Sequence, residues 1–240
     1  YGYVYDGVYQ YEDFNEVAPG VFQLKPEIPN NTNERANIKP GDPKLKDING
    51  DGKVTAEDQT VIGHGLPIHT GGFTNNFEWK GFDLSIFFQW SYGNDVINYN
   101  RARLESLDGR HLNQLSTVKN HWTPRTTLAD NTVVEGNYTN YLWAVNRGLS
   151  NIHTSREVED ASFLRLKNVQ LGYRFPNKVL KRLHLSSLRM YISAQNLYTW
   201  TSYTGYDPEV STRNSAMTRG FDYSAYPKAK TFTFGVELAL

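Results

Sequence analysis

The sequence predicts an all-β fold in which long antiparallel strands form a transmembrane β-barrel. A hairpin is centred on Lys80 and Gly81, and its second strand, residues 82–92, alternates apolar and polar side chains along its length. Strands of globular proteins usually have about five or six residues, whereas a tilted strand needs about nine to eleven to cross a bilayer. Aromatic residues lie at both ends of the apolar face, as in the interfacial girdles of membrane barrels. They are Trp79 and Phe82 at one end and Trp90 and Tyr92 at the other.

The composition agrees with this prediction and argues against several other classes of protein. Aromatic residues make up 14% of the 240 residues, yet the mean hydropathy is -0.59, which suits a barrel with a narrow lipid-facing band and a polar lumen. The 25 basic and 25 acidic residues balance, so nothing indicates a nucleic-acid partner. The sequence has no cysteine, which excludes disulfides and thiolate metal sites. No apolar run is long enough for a spanning helix, so any membrane crossing is by strands.

The first 46 residues predict little regular structure. Residues 1–15 alternate tyrosines with smaller side chains and predict the end of a strand that rises into a loop. Residues 16–46 contain five of the ten prolines and show no regular period, so we expect an irregular loop there. The chain opens without a methionine, a basic leader or an apolar signal segment, as expected of a piece of a longer protein.

Residues 47–58, DINGDGKVTAED, form the most specific local motif. Their spacing matches the EF-hand calcium loop, in which oxygen ligands recur at positions 1, 3, 5, 7 and 12 and glycine occupies position 6. The predicted ligands are Asp47, Asn49 and Asp51, the carbonyl of Lys53, and Asp58, with Gly52 at the glycine position. A hard cation needs such a cluster of oxygens, so we expect a Ca²⁺ site.

The last ligand position of this motif holds Asp58, where EF-hands usually have glutamate. The shorter side chain predicts weaker binding than in a cytosolic sensor, in the range of about 0.1 to 1 mM that extracellular modules show. The alternative is an Asx-rich turn that binds no metal, because Asp and Asn side chains in such turns bond to their own backbone. The sequence leaves both interpretations open.

Five segments share one strand pattern, in which every second residue is apolar. The apolar faces hold Phe73, Asn75, Phe77 and Trp79; Phe82, Leu84, Ile86, Phe88, Trp90 and Tyr92; Val169, Leu171, Tyr173 and Phe175; Leu188, Met190, Ile192, Ala194, Tyr198 and Trp200; and Phe232, Phe234, Val236, Leu238 and Leu240. The opposite parity is mostly polar. Leu164 and Leu166 are out of phase with their strand, which predicts a β-bulge near Lys167.

The connections between these strands alternate between short and long. The short ones are Lys80-Gly81 and residues 177–186, and the long ones are residues 12–69, 93–160 and 201–230. Within the second long segment, residues 96–119 have a helix-like pattern. Outer-membrane barrels have short periplasmic turns and long extracellular loops, so the three long segments, with the calcium motif, are predicted to lie outside the cell.

Several long motifs in a fixed order resemble one protein family. They are GYVYDGVYQ at Gly2, GDPKLKDINGDGKVTAEDQTVIG at Gly41, GFDLSIFFQWSYGND at Gly81, VEDASFLRLKNVQLGY at Val158, SAQNLYTWTSYTGYDPEV at Ser193 and YPKAKTFTFGVEL at Tyr226. Over nearly the whole chain, the sequence resembles the C-terminal part of SusC/RagA-family TonB-linked (TonB-dependent) outer-membrane proteins of Bacteroidetes type. It departs from that pattern at Leu240, where such barrels often end in an aromatic residue.

This resemblance implies an architecture and a function. It implies a barrel of about 22 antiparallel strands, with residues 1–240 as the C-terminal part and the plug domain absent from this sequence. Such a protein is a multi-pass barrel of the cell outer membrane. It imports oligosaccharides or peptides with a SusD-like surface lipoprotein, and TonB supplies the energy through the missing N-terminal part. The implied partners are therefore outer-membrane lipid, that lipoprotein, TonB and an oligosaccharide or peptide substrate, with no nucleic acid.

Two other functions compete with this interpretation. One is a soluble, secreted, calcium-binding carbohydrate-binding β module, which would use the same calcium motif in a water-soluble sheet. The other is a secreted glycoside hydrolase in which Asp207 and Glu209 form a pair of catalytic carboxylates. Pro208 and its neighbours fit a fixed turn equally well, so we expect no enzyme and no catalytic residues.

The remaining side chains identify no reaction and no substrate. The six histidines have no metal-binding spacing, and no nucleophile elbow or phosphate-binding loop is present. The loop aromatics could stack on sugar rings, but interfacial anchoring explains them as well. They include Trp122, Trp143, Trp200 and Tyr206. The sequence therefore leaves the substrate-binding residues unknown.

Overall fold

The computed structural model describes residues 1–107, 113–149, 152–209 and 220–240. It divides into two compact units: residues 1–63 with 97–158, called the loop unit here, and residues 64–96 with 159–240, called the sheet unit. No helix in the described ranges is both long and apolar enough to cross a membrane.

The described residues contain both long and short strands. They are β1 (Tyr5–Val8), β2 (Phe14–Ala18), β3 (Val21–Leu24), β4 (Pro43–Leu45), β5 (His69–Trp79), β6 (Phe82–Tyr92), β7 (Asp95–Asn98), β8 (Thr126–Thr127), β9 (Val133–Val134), β10 (Val158–Asp160), β11 (Phe163–Arg174), β12 (Ser187–Thr201), β13 (Phe221–Asp222) and β14 (Thr231–Ala239). The α-helices in the described ranges are α1 (Tyr99–Leu104) and α2 (Asn177–Leu183). Short 3-10 turns occur at Tyr11–Asp13, Arg35–Asn37, Ala56–Asp58, Ser116–Asn120 and Ser155–Glu157.

The sheet unit is built on the five long strands that the sequence predicts. They form one antiparallel sheet in the order β14-β12-β11-β6-β5. Each long strand therefore pairs with the next long strand along the chain, as in an up-and-down barrel wall. Strands β5 and β6 have 11 residues each and β12 has 15, so the predicted lengths are confirmed.

One face of this sheet is apolar from strand to strand. The register pairs Ile86 with Val169, Val169 with Ala194, and Ala194 with Phe232, so four strands contribute to one apolar row. Side chains on this face lie open: Phe232 is 66% exposed and Phe234 is 69% exposed. A continuous apolar face that the chain leaves uncovered is typical of barrel strands that face lipid.

The tight turn between β5 and β6 is confirmed. Lys80 and Gly81 have positive φ angles of 48° and 88°, as a type I′ hairpin turn requires. A Cβ atom on Gly81 would lie 2.8 Å from the carbonyl oxygen of Arg174, so the turn also needs glycine for space. The turn fixes the register of the hairpin, in which Trp79 pairs with Phe82.

Strand β11 contains the predicted bulge. Leu166 pairs with Phe88 and Asn168 pairs with Phe87, so Lys167 is an extra residue relative to β6. One extra residue reverses the alternation of a strand. This explains why the leucines that precede Lys167 are out of phase with the rest of β11.

Strand β12 carries a larger irregularity at the same level. Two of its residues, Asn196 and Leu197, lie opposite the single Lys167 of β11. Asn196 has a φ angle of 52°, a left-handed conformation that asparagine tolerates better than most residues. Relative to β6, β11 has gained one residue and β12 two. Because two extra residues restore the alternation, β12 keeps a single parity along its length.

The loop unit contains three two-stranded sheets among its described residues, β1-β4, β2-β3 and β8-β9. Two hydrophobic clusters support the first two of these sheets. The first consists of Tyr9, Phe14, Leu24 and Ile38, and the second of Tyr3, Leu45 and Val54. The strand predicted at the N-terminus is β1, and it pairs with β4.

Two local predictions are wrong. Residues 16–46 are not an irregular loop throughout, because β2 and β3 form a hairpin. Residues 96–119 are not one helix, because α1 covers only Tyr99–Leu104. Val96 lies instead in β7, where it is buried with Ala161 and Tyr203. Residues 108–112 of that prediction lie outside the described residues.

Candidate calcium loop and charged clusters

The predicted calcium loop folds as one compact turn in the loop unit. Gly50 and Gly52 have φ angles of 77° and 81°, which glycine adopts without strain. The loop leads into a 3-10 turn that Thr55 caps, since its hydroxyl accepts a hydrogen bond from the N–H of Glu57 at 3.2 Å. Gly52 therefore makes the sharp turn expected at position 6, and Asp58 lies in the 3-10 turn at the end of the loop.

Asp58 is the buried centre of this loop. Its Oδ1 atom accepts hydrogen bonds from the N–H groups of Ile48 at 2.8 Å and Asn49 at 3.3 Å, and Oδ2 accepts one from Thr55 at 2.8 Å. Burial raises the pKa of this carboxyl, but the hydrogen bonds outweigh burial and hold the pKa below its usual value. The loop is thus organised around an ionised carboxylate.

The other predicted ligands accept hydrogen bonds from the backbone of the same turn. Asp47 accepts two, both at 2.7 Å, from the two glycine N–H groups. Asn49 accepts one from the N–H of Asp51 at 3.0 Å, and Asp51 accepts one from Lys53 at 2.8 Å. The structure therefore brings the predicted side chains together with Asp58, in the bonding pattern of an Asx-rich turn.

The chemistry of this donor set fits a hard cation. Ca²⁺ takes about six to eight oxygen ligands, and each ionised carboxylate has about four lone-pair sites. The backbone bonds of Asp47 and Asp51 leave acceptor sites on both carboxylates. No group of three or more His, Cys, Asp and Glu side chains in the described ranges is already arranged around a metal position. Cation binding would therefore require these oxygens to turn from the backbone toward the ion.

Arg165 forms the centre of a charged cluster that the sequence does not single out. It lies on the polar face of β11 with its side chain 2% exposed. Its Nη2 atom donates a hydrogen bond to Asp207 at 2.5 Å and its Nη1 atom donates one to Glu209 at 3.2 Å. Lys228 also forms an ion pair with Glu209. The two carboxylates considered as a catalytic pair are therefore both bound to cations.

The environment of Asp207 is that of a structural counter-ion. Burial raises the pKa of its carboxyl, but the N–H of Glu209, which bonds to it at 2.9 Å, and the Arg165 guanidinium together hold the pKa below its usual value. A glycosidase acid needs a raised pKa so that it carries a proton at neutral pH. Asp207 instead holds its loop against β11 through the ion pair with Arg165.

A second charged cluster spans the sheet near its short-turn end. Arg189 of β12 donates two hydrogen bonds to Asp83 of β6, at 3.0 and 2.6 Å, and one to Glu237 of β14 at 3.1 Å. Strand β11 lies between β6 and β12, and it presents Gly172 at this level. A Cβ atom there would lie 2.6 Å from both carboxylate oxygens of Asp83. Glycine therefore lets the arginine reach across an intervening strand.

The loop aromatics differ in their availability to a ligand. Trp122 is buried in the loop unit, where its ring lies 5.6 Å from that of Tyr11 and 6.0 Å from that of Tyr138. The Trp143 indole donates a hydrogen bond to the carbonyl of Ser106 at 3.2 Å. In the sheet unit, by contrast, Tyr206 is 77% exposed.

Comparison with known proteins shows what this chain is related to. No protein-family model matches the sequence. TonB-dependent receptor P3 of Formosa agariphila is 35% identical over 99% of the chain, and TonB-dependent receptor SusC of Bacteroides thetaiotaomicron is 28% identical over 84% of it. The solved structure of the RagAB peptide transporter matches all of the chain with a TM-score of 0.69 and 25% identity. The chain belongs to the SusC/RagA family of TonB-dependent receptors.

The chain covers only part of each relative: 22% of receptor P3, 18% of SusC and 22% of the matched RagAB chain. For a member of this receptor family, the five-stranded sheet is a section of an antiparallel transmembrane barrel wall, as the sequence predicts. The three relatives do not favour the soluble carbohydrate-binding module. None of them is named for an enzymatic activity.

Proposed function

We propose that the receptor containing this chain imports oligosaccharides or peptides across the outer membrane. The observation that carries the proposal is the uncovered apolar face that runs across the five-stranded sheet of a TonB-dependent receptor. An open sheet would leave the outer edges of β5 and β14 unpaired in lipid. The proposal therefore includes further strands and a plug from the rest of the receptor.

The proposed orientation follows from the lengths of the connections. The type I′ turn and the α2 connection would face the periplasm, and residues 12–69, 93–160 and 201–230 would face the outside. In this arrangement the outer loops dock a SusD-like surface lipoprotein, and TonB acts on a part of the receptor outside this chain. The likeness to SusC and to the RagAB peptide transporter supports this choice of partners and substrates. The chain itself has no catalytic role in this proposal.

The proposal is tested on the full-length receptor in its own membrane. The tagged receptor should be found in the outer-membrane fraction, require detergent for extraction and copurify with a surface lipoprotein. Deleting its gene should abolish uptake of one labelled oligosaccharide or peptide pool, and the intact gene should restore uptake. A detergent-independent species near 27.5 kDa, or unchanged uptake of every pool tested, would contradict the importer.

We also propose that residues 47–58 bind Ca²⁺ in one of the outer loops. The ligands would be the side chains of Asp47, Asn49, Asp51 and Asp58 and the carbonyl of Lys53. Supporting observations are the left-handed glycines, the ionised Asp58 and the free acceptor sites on the carboxylates. The ion would take the place of backbone N–H donors and stiffen the loop.

Calcium binding is tested by proteolysis of the full-length receptor. Wild type should be protected from cleavage within residues 41–63 by about 1 mM Ca²⁺, the weak end of the extracellular range, and the protection should disappear with a chelator. Asp51→Ala should lose the Ca²⁺ effect, whereas the matched change Asp130→Ala, at an exposed Asx turn elsewhere in the loop unit, should keep it. Protection that is indifferent to the chelator would leave only the Asx-rich turn.

A further inference from the structure

A basic segment lies at the short-turn end of the sheet unit. Residues 174–189 contain five arginine or lysine residues and no aspartate or glutamate, although the whole chain is balanced at 25 of each sign. They are Arg174, Lys178, Lys181, Arg182 and Arg189. Three of them belong to helix α2, whose C-cap is His184. This concentration of one sign is local and not a property of the chain.

Backbone hydrogen bonds hold α2 against the ends of the strands. The N–H of Phe175 donates to the carbonyl of Leu188 at 3.0 Å before the helix, and the N–H of Ser186 donates to that of Ala239 at 2.8 Å after it. The N–H of Arg174 also donates to the carbonyl of Gly81 at 2.7 Å. The helix, the β5-β6 turn and the end of β14 therefore lie at one end of the sheet.

Three cations of this helix have no acidic partner. Arg189 is occupied by Asp83 and Glu237, but no carboxylate in the described residues lies within ion-pair distance of Lys178, Lys181 or Arg182. All three side chains are exposed. They are free to bind an anion that the described part of the chain does not supply.

Apolar groups accompany these cations at the level of the girdle. Leu183 is 51% exposed next to them in sequence, and the Lys80 ammonium lies 4.8 Å from the centre of the Trp79 ring. A cavity of about 380 Å³ lies between the helix and the strand ends. Its lining residues are Arg174, Phe175, Leu180, Ser187, Leu188 and the ion pair of Arg189 and Glu237. Cations beside an apolar rim suit the boundary between lipid headgroups and acyl chains.

We propose that α2 and the adjoining turn bind the phosphate groups of anionic phospholipids in the leaflet at this end of the barrel. Charge complementarity carries the proposal, because three unpaired cations stand beside the end of the lipid-facing strands. Basic residues near an anionic leaflet each add to its attraction. The inference rests on the proposed placement of this sheet in a membrane, with the short turns on the periplasmic side.

The test uses the full-length receptor in nanodiscs of phosphatidylcholine with either phosphatidylglycerol or lipid A. Native mass spectrometry counts the lipids that remain bound after the disc is removed. Wild type should retain phosphatidylglycerol in preference to phosphatidylcholine. The triple change of Lys178, Lys181 and Arg182 to Gln should reduce this preference about tenfold or more. The control, Lys39, Lys46 and Lys119 changed to Gln, removes the same charge from the loop unit and should leave the preference unchanged.

The alternative outcomes are distinguishable. Failure of wild type to insert into any disc, seen as protein that pellets without lipid, would contradict the membrane placement itself. Insertion without a preference for phosphatidylglycerol, or with a preference for lipid A that the triple change removes, would overturn the phospholipid inference alone. Equal loss in the control variant would also overturn it. Heat-modifiable mobility of the triple variant on gels checks that its barrel is folded.

Discussion

Two arginines organise the polar face of the sheet at the scale of single residues. Arg165 binds the loop carboxylates Asp207 and Glu209, and Arg189 binds carboxylates of β6 and β14. The contact between Arg189 and Asp83 also depends on Gly172 of β11, because this residue has no side chain in the path of the guanidinium.

Gly172→Ala should therefore destabilise the barrel. The new methyl group would displace the ion pair of Asp83 and Arg189, and overpacking of this kind costs about 1 to 3 kcal/mol. Urea unfolding of the reconstituted full-length receptor measures the change. Ser85→Ala, on the same face and with no side-chain hydrogen bond in the described ranges, should stay within about 0.5 kcal/mol of wild type. Equal effects of the two changes would mean that the glycine is not needed for space.

The lowered pKa of Asp207 predicts how its loop responds to acid. A carboxyl with a lowered pKa in the folded state adds stability above its unfolded pKa of about 3.9, and this stability is lost as the pH falls through the folded value. Amide hydrogen exchange in residues 203–209, expressed relative to the intrinsic exchange rate at each pH, should thus stay slow from neutral pH to about pH 5 and accelerate below about pH 4. Asp207→Asn should exchange faster at neutral pH and lose that acid response. Acceleration near pH 6 would instead implicate a histidine.

The sequence places most of these polar residues on the correct face but cannot pair them. Asp83, Arg189 and Glu237 have the polar parity, yet the bonds between them depend on how β6, β11, β12 and β14 pair. Arg165 and Asp207 are 42 positions apart, so no local pattern connects them. The side chains of the calcium motif, by contrast, could be placed together from the sequence. They bond within one turn, so their proximity follows from their spacing alone.

At the scale of elements, the long strands are predictable because each has its own signal. Alternation continues for nine to fifteen residues, and the hairpin turn contains Gly81, which adopts its positive φ angle without strain. The hairpin of β2 and β3 is missed because each strand has only five or four residues, too few for a clear period among prolines. The helix expected in residues 96–119 fails because burial with Ala161 and Tyr203 holds Val96 in a strand.

The parity of the strands can be tested with a pair of adjacent substitutions in β6. Ile86→Arg places a charge on the apolar face near the middle of the strand and should cost about 2 to 4 kcal/mol of barrel stability. Ser85→Arg places the same charge on the polar face and should cost far less. Unfolding of the full-length receptor in lipid compares the two. Equal damage would contradict the assignment of the faces.

At the scale of the whole molecule, the sheet is a section of a wall and not a closed structure. Both outer strands, β5 and β14, have one edge that no described strand covers. The apolar side chains of these two strands are also exposed, because no other part of the sheet unit packs over them. Sequence alone predicts this incompleteness, because five strands are fewer than the eight or so of the smallest membrane barrels. The relatives agree, since the chain spans about a fifth of each.

The 240 residues expressed by themselves should consequently fail to form a monomeric barrel. Unpaired edges and an uncovered apolar face favour association with other chains. In detergent we expect aggregates, with no heat-modifiable band on gels, whereas the full-length receptor should give one. A stable detergent-free monomer of this chain would show that the sheet is soluble by itself.

The chain leaves the sheet unit after Val96 and returns to it at Glu159, and the two crossing points are neighbours. The N–H of Ala161 donates to the carbonyl of Asn94 at 2.9 Å, and the N–H of Gly93 donates to the Ser162 hydroxyl at 2.9 Å. A connecting segment whose two ends lie side by side can be lengthened, shortened or exchanged with little displacement of the strands. Changes of length within residues 97–158 should therefore leave the pairing of the long strands intact.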